Sequence, residues 1–275
     1  METVIVLRGA FFFGVFAVIA IWELLAPRRV LTTSKTVRWL GNLAIILLNT
    51  VVVPLAFPIL PLGLAVLAQT NGWGLLNRFH PPYWLAVVVG VILLDLVIYF
   101  QHVLFHAVPA LFRLHMVHHA DLDFDVTTGL RFHPVEIVLS TAVKLAAVVV
   151  VGPPAVAVLL FEVLLNATSM FNHGNVRIPL ALDRVLRLFV VTPEMHRVHH
   201  SVVIKETNSN FGFNLPWWDR LFGTYHAQPR AGHQGMTIGL SHYRNAKRLT
   251  LPWMLALPFI GDPGQYPINR GGRRA

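Results

Sequence analysis

The reading of this chain turns on Asp95-Leu-Val-Ile-Tyr99-Phe-Gln-His102-Val-Leu-Phe-His106, followed past Pro109 and Arg113 by His115-Met-Val-His118-His119. Residues three and four apart share a helix face, so His102 and His106 stack one turn apart, and His115, His118 and His119 form a second group of the same kind. Five imidazoles thus point at two small volumes. The tighter pattern recurs as His196-Arg-Val-His199-His200, and His173 stands between the two copies in Phe-Asn-His-Gly-Asn. Cysteine is absent, and neutral imidazole is the commonest protein metal ligand. The pattern reads as a polyhistidine metal site.

Composition places that site in a membrane. Of 275 residues, 55% are hydrophobic and 13% charged, against roughly 25% charged in a soluble domain. The net charge of +9 falls mostly beside apolar runs, where basic residues hold a loop on the cytoplasmic side and meet anionic head groups. Nucleic acid is not an expected partner. Without cysteine there are no disulfides, thiolate zinc sites or iron-sulfur clusters.

Working outward, Val4 to Leu25 is an apolar run around Arg8, long enough to span and lacking the marks of a cleaved signal. Pro27-Arg28-Arg29, Lys35 and Arg38 follow it on the inner side. Leu40 to about Leu67 is broken by Pro54, Pro58 and Pro61, which predicts one span that kinks or re-enters. After a short outer loop, Trp84 to His106 forms the third span, directed inward. Asp95 inside it is a costly charge and so a functional candidate, seven residues before His102 on the same face.

Pro134 to Val151 and Ala155 to Asn172 are two apolar arms joined by Gly152-Pro153-Pro154, a hairpin dipping from the inside and back. Lys144 and Glu162 each lie nine residues from Pro153, which predicts that they pair at matching depth. From His173 to about Leu249 charges return, as expected for a polar cap continuous with the histidines. Leu251 to Ile260 is too short to span and is expected in the interface, and Arg270 to Arg274 is expected to be a disordered basic tail.

The fold expected is an all-α integral membrane protein with about four to five transmembrane or re-entrant helices and a cytosolic histidine-rich cap. Its expected divisions are residues 1–82 as N-terminal helices and outer loop, 83–249 as the catalytic domain containing the hairpin 134–172, and 250–275 as interfacial helix and tail. The clustered histidines are expected on the cytoplasmic side of what is read as a bacterial inner membrane. Two metal ions with four or five imidazoles each would use all of His102, His106, His115, His118, His119, His173, His196, His199 and His200.

The sequence resembles the fatty acid hydroxylase and sterol desaturase superfamily of membrane di-iron oxygenases, with its order of His-x(3,4)-His, His-x-x-His-His, an isolated His and a second His-x-x-His-His. Supporting words match as well: Asp95-x-x-x-Tyr99-x-x-His102, Arg131-x-His133-Pro134, Thr192-Pro193-x-x-His196, Asn210-Phe-Gly212, and Trp218-Asp219-Arg220-Leu-Phe-Gly223-Thr224. The likeness covers roughly residues 83 to 226, and the form of the isolated histidine looks most like the bacterial sterol desaturase branch, which also resembles alkylglycerol monooxygenase.

The resemblance implies that the nine histidines ligate two Fe ions, that dioxygen is a co-substrate, and that a lipid C–H bond is hydroxylated or desaturated with electrons from a separate electron-transfer protein. Some members carry a further His where this chain has Ser169, which leaves water, a carboxylate or His133 to complete one metal. His133 is a candidate ligand or a candidate partner of one. Asp95 is expected to orient His102 or another ligand, with a helix-helix hydrogen bond as the structural alternative, and Glu162 and Asn166 are candidates to extend that support. The lone histidines His80, His226, His233 and His242 read as surface or hydrogen-bonded residues, and Asn208 to Gly223 as a lid. Two other classes share part of the pattern. A histidine-rich metal transporter would place few ligands near the midplane, and a di-zinc hydrolase would need fewer histidines and no dioxygen.

Overall fold

The computed structural model describes residues 2–269, so the basic tail expected at Arg270–Arg274 lies outside the described residues. Among the described residues the secondary structure is helical apart from isolated bridges. Five apolar segments are long enough to cross a membrane. In chain order the helices begin with α1 (Glu2–Leu25), α2 (Lys35–Ala56), α3 (Pro61–Thr70), α4 (Leu75–Phe79) and α5 (Tyr83–Ala107). They continue as α6 (Pro109–His119), α7 (Pro134–Val151), α8 (Ala155–Asn172), α9 (Leu180–Leu186), α10 (Pro193–His199), α11 (Ile204–Thr207), α12 (Trp217–Leu221), α13 (Gly232–Gly235) and α14 (Leu251–Ile260).

The proline-broken second segment divides as its sequence suggests. α2 ends at Ala56 with Phe57 as its cap, and α3 starts with Pro61 in its first turn, where the missing N–H costs nothing. α3 then packs back against α7 and α8. The hairpin of α7 and α8 turns at Gly152, whose φ of +64° suits glycine; a Cβ there would stand 2.4 Å from the carbonyl of Trp73. Because α5 and α8 end, and α7 begins, at the same level, His102, His106, His133 and His173 share one end of the bundle. α6 and α10 lie across that end.

Buried polar groups tie the bundle to its cap. On α2, Arg38, Asn42 and Asn49 are buried along one stripe. Arg38 donates to Asp121 at 2.7 Å and to Asp125 at 2.5 Å, and Asn42 donates to Thr127 and accepts from Arg131. Removing one partner of such a buried pair costs about 3–5 kcal/mol. Arg28, near the start of the linker after α1, reaches Glu194 on α10 at 2.5 Å. Two of the basic residues grouped after the first span are therefore structural rather than free to meet lipid.

Two expectations need correction. Lys144 and Glu162 do not pair: Glu162 binds Arg8 at 2.9 Å, because the first span packs against α8 and presents its cation to that carboxylate. Asn166 donates to the Glu162 carbonyl, so neither residue supports a histidine. α14 buries Met254 and Leu257 in a core shared with Phe112 and Met116 of α6, while Phe259 and Ile260 stay exposed.

Candidate metal centre

The structure gathers the nine histidines into two groups: His102, His106, His115, His119 and His199 in one, and His118, His173, His196 and His200 in the other. Their division is not the one the motifs suggest. Successive helix positions turn about 100°, so within each His-x-x-His-His run the outer pair, four apart, faces one way and the middle histidine faces another. α6 sends His115 and His119 to the five-histidine group and His118 to the other. α10 does the reverse, giving His196 and His200 to the four-histidine group and His199 to its neighbour. The two runs are reciprocal, and each group draws on both.

Hydrogen bonds fix the tautomers of most rings in the larger group. His102 Nδ1 donates to the Phe211 carbonyl at 2.8 Å, His199 Nδ1 to the Ser209 carbonyl at 2.7 Å, and His115 Nδ1 to Glu136 Oε1 at 2.6 Å. His106 Nδ1 donates to Asn208 Oδ1 at 2.9 Å, and the amide of Asn208 is oriented by its own donation to the Tyr266 carbonyl. Carbonyl and carboxylate oxygens only accept, so the proton sits on Nδ1 and the lone pair on Nε2. In the smaller group His173 Nδ1 donates to the Ser169 carbonyl at 2.7 Å, whereas Nδ1 of His118, His196 and His200 has no partner among the described residues.

The Nε2 atoms meet in the middle. His102 and His115 stand 3.1 Å apart, as do His106 and His119. In the other group His173 lies 3.1 Å from His118, 3.2 Å from His200 and 3.1 Å from His196. Two inward lone pairs at that spacing repel, and Nε2 of His199 is buried with no partner. Nitrogens bound to one ion at about 2.1 Å stand about 3 Å apart, so the residues fit two metal ions. Burial drives the pKa of His115 and His173 down to about 3, which keeps both rings neutral and able to ligate.

One segment supports much of this geometry. Residues 208–211 supply three of the acceptors above. Asn210, in the left-handed region at φ +53°, donates to the carbonyls of Met195 and His226. Asp219 accepts from the amides of Phe211 and Gly212 and from Thr224, which meets Tyr99 at 2.8 Å. The stretch expected as a lid is thus the frame that holds the rings.

Asp95 Oδ2 accepts from Trp218 Nε1 at 2.8 Å and from the Leu215 amide at 3.2 Å. It touches no histidine and reaches His102 only through that frame. His133 is not in either group: it caps α7, accepting from the Val135 amide, and Nε2 lies 3.3 Å from the Leu255 carbonyl. Of the lone histidines, His233 is buried against Glu194 at 3.0 Å and His242 meets the Asp262 carbonyl. Glu136 escaped the sequence reading, although an acid in the first turn of an apolar arm is a visible signal. The carbonyls of Ser169, Ser209 and Phe211 have no signal in residue type.

A helical bundle with long apolar segments and two buried polyhistidine clusters at one end defines a membrane metalloprotein. Residues 87–224 match the fatty acid hydroxylase family, and the chain belongs to it. Among curated proteins it is similar to ornithine lipid hydroxylase OlsE of Rhizobium tropici, 30% identical over 220 residues, which is 78% of this chain and 65% of that protein. It is also similar to alkylglycerol monooxygenase of Homo sapiens, 27% identical over 62% of this chain and 37% of the relative. Methylsterol monooxygenase 2-2 of Arabidopsis thaliana is 25% identical over 60% of this chain and 63% of the relative. The chain thus spans less than two thirds of these relatives' lengths. No solved structure gives a significant match.

Proposed function

We propose that this protein is a membrane-bound di-iron oxygenase that hydroxylates or desaturates a C–H bond of a lipid, using dioxygen and electrons from a separate carrier protein. The observation that carries this is the meeting of nine neutral imidazoles in two buried groups of five and four. The names of the relatives, which are hydroxylases and monooxygenases of lipids, agree with it. The five-histidine group would hold one iron and the four-histidine group the other. When bound, the pair supplies dioxygen activation and the oxidising power to break an unactivated C–H bond.

The chain's own residues provide position and dryness. Glu136 and the 208–211 segment align the rings of the larger group. Phe132 stacks on His118, with centroids 4.4 Å apart, and Phe213 lies 5.0 Å from His102, so aromatic faces shield both groups from water. Beyond those rings a cavity of about 470 Å³ opens between α2, α5, α7 and α8. That volume suits a single lipid chain or polar head, reached from within the bilayer. Basic residues beside the spans favour a cytoplasmic site in a bacterial inner membrane. Exposed Arg184, Arg220 and Arg230 on the cap suit a donor with an acidic face.

Metal analysis of protein purified anaerobically from iron-supplemented cells tests this reading. Two irons per chain, with metal lost in His118→Ala and an oxygen-dependent lipid product formed only by the wild type, is the expected result. A metal content near zero, or one that the substitution leaves unchanged, overturns it. Lipid hydrolysis without oxygen would favour the di-zinc class.

A further inference from the structure

The cavity beneath the histidines has a charged end. Glu136 and Ser169 line the end nearest the metal groups, and Arg8 and Lys144 line it farther along. Lys144 follows Glu136 by eight residues on α7, about 12 Å along the helix axis. The carboxylate that lines it, Glu136, holds His115 at 2.6 Å, and Glu162, which holds Arg8 at 2.9 Å, lies outside the lining. Lys144 makes no direct ion pair or hydrogen bond among the described residues; Glu162 is the nearby countercharge, and its direct contact is with Arg8. An unpaired cation within an apolar arm is costly and marks a place where an anion is bound. Asn49, Thr50, Ser140 and Asn166 also line the cavity. Each also bonds within the protein, to the Phe132, Leu47 and Glu162 carbonyls and to Gln101, so they add polarity to the walls while Lys144 lacks a direct partner.

We propose that Lys144, with Arg8 beside it, binds the anionic group of the lipid substrate, a carboxylate or a phosphate. This rests on the oxygenase reading and narrows its substrate to an acidic lipid. The oxidised carbon then lies toward the opposite end, where Glu136, Phe132 and Phe213 separate the cavity from the histidines. A neutral lipid such as an alcohol or unmodified sterol leaves Lys144 unpaired and is disfavoured. Arg8 keeps Glu162 neutralised, so Lys144 supplies the net positive charge.

The test measures binding, not turnover. Radiolabelled myristate, tetradecyl phosphate, tetradecylamine and tetradecanol are dialysed to equilibrium against the metal-loaded full-length protein in maltoside detergent, with empty micelles as the blank. The acids are expected to bind roughly tenfold or more tighter than the alcohol, the gain typical of a charged hydrogen bond, and the amine more weakly still. Tighter phosphate binding identifies a phospholipid source; tighter myristate binding identifies a carboxylate.

Lys144→Met is expected to remove that preference while leaving metal content and alcohol binding unchanged, and Lys144→Arg to retain it. Equal binding of acid and alcohol by the wild type, or an unaltered preference in Lys144→Met, overturns the proposal. The wild-type ranking stands as a test even if that variant does not fold. Loss of acid selectivity with two irons and oxygen-dependent turnover intact sinks only this proposal, whereas intact selectivity without iron or turnover sinks the oxygenase reading.

Discussion

The two histidine groups are built from the same motif and held in different ways. In the five-histidine group, four rings have an Nδ1 bonded to a named acceptor: Phe211, Asn208, Glu136 or Ser209. In the four-histidine group, among the described residues, only His173 is anchored at Nδ1, through Ser169. A ring anchored at Nδ1 has its lone pair aimed before any ion arrives, and anchoring also raises ligand basicity. The larger group is therefore a preorganised site. The smaller one, with fewer ligands and freer rings, depends on its ion for alignment and keeps coordination capacity for other groups. A pair of metals that must bind external molecules gains from this asymmetry, since one site can stay fixed while the other changes.

The sharpest way to break the comparison is to remove one ligand from each group. His199→Ala and His173→Ala are each expected to lower turnover by more than about 100-fold, read as product per chain. They should differ in metal retention: His173→Ala keeps the ion of the larger group, whereas His199→Ala weakens it. Equal loss of both ions from either variant would mean that the groups act as one unit.

Chelation of the wild type comes next in size. Metal release into a strong chelator is expected in two phases, the faster by about tenfold and belonging to the four-histidine group. A single phase would erase the distinction. Glu136→Gln sharpens it from the other side, since a neutral acceptor replaces a carboxylate on His115. Metal affinity of the larger group should fall about tenfold with the smaller group unaffected, and rescue by Glu136→Asp would separate positioning from packing.

Asp95→Asn should have the smallest effect. The amide still offers an oxygen to Trp218 and Leu215, so stability is expected to fall by about 1 kcal/mol with metal content unchanged. The rate drops only severalfold as the 208–219 frame loosens, read as melting temperature together with kcat. Wild-type kinetics would leave Asp95 a purely structural residue.

Much of this was legible in residue order. The apolar runs, the proline break and the Gly152-Pro153-Pro154 turn follow from burial and backbone chemistry within a few residues, and they appear as α1, α2 with α3, α5, and the hairpin of α7 and α8. All nine clustered histidines were visible from their helical spacing and donor chemistry. The pairing of Lys144 with Glu162 failed because matching depth on two arms does not say which neighbour faces a carboxylate, and α1 supplied Arg8. The position of Asp95 on the histidine face suggests a role beside His102 or in a helix-helix hydrogen bond, yet its carboxylate accepts from Trp218, far along the chain.

By itself, then, the sequence determined the class of fold and the nine histidines that cluster, because helical periodicity and donor chemistry are local properties. Tertiary structure alone decided how the histidines divide, which carbonyls and which carboxylate aim them, and where a cavity meets an unpaired lysine. Those depend on backbone oxygens and on side chains brought together from distant helices, and neither leaves a mark in the order of residue types.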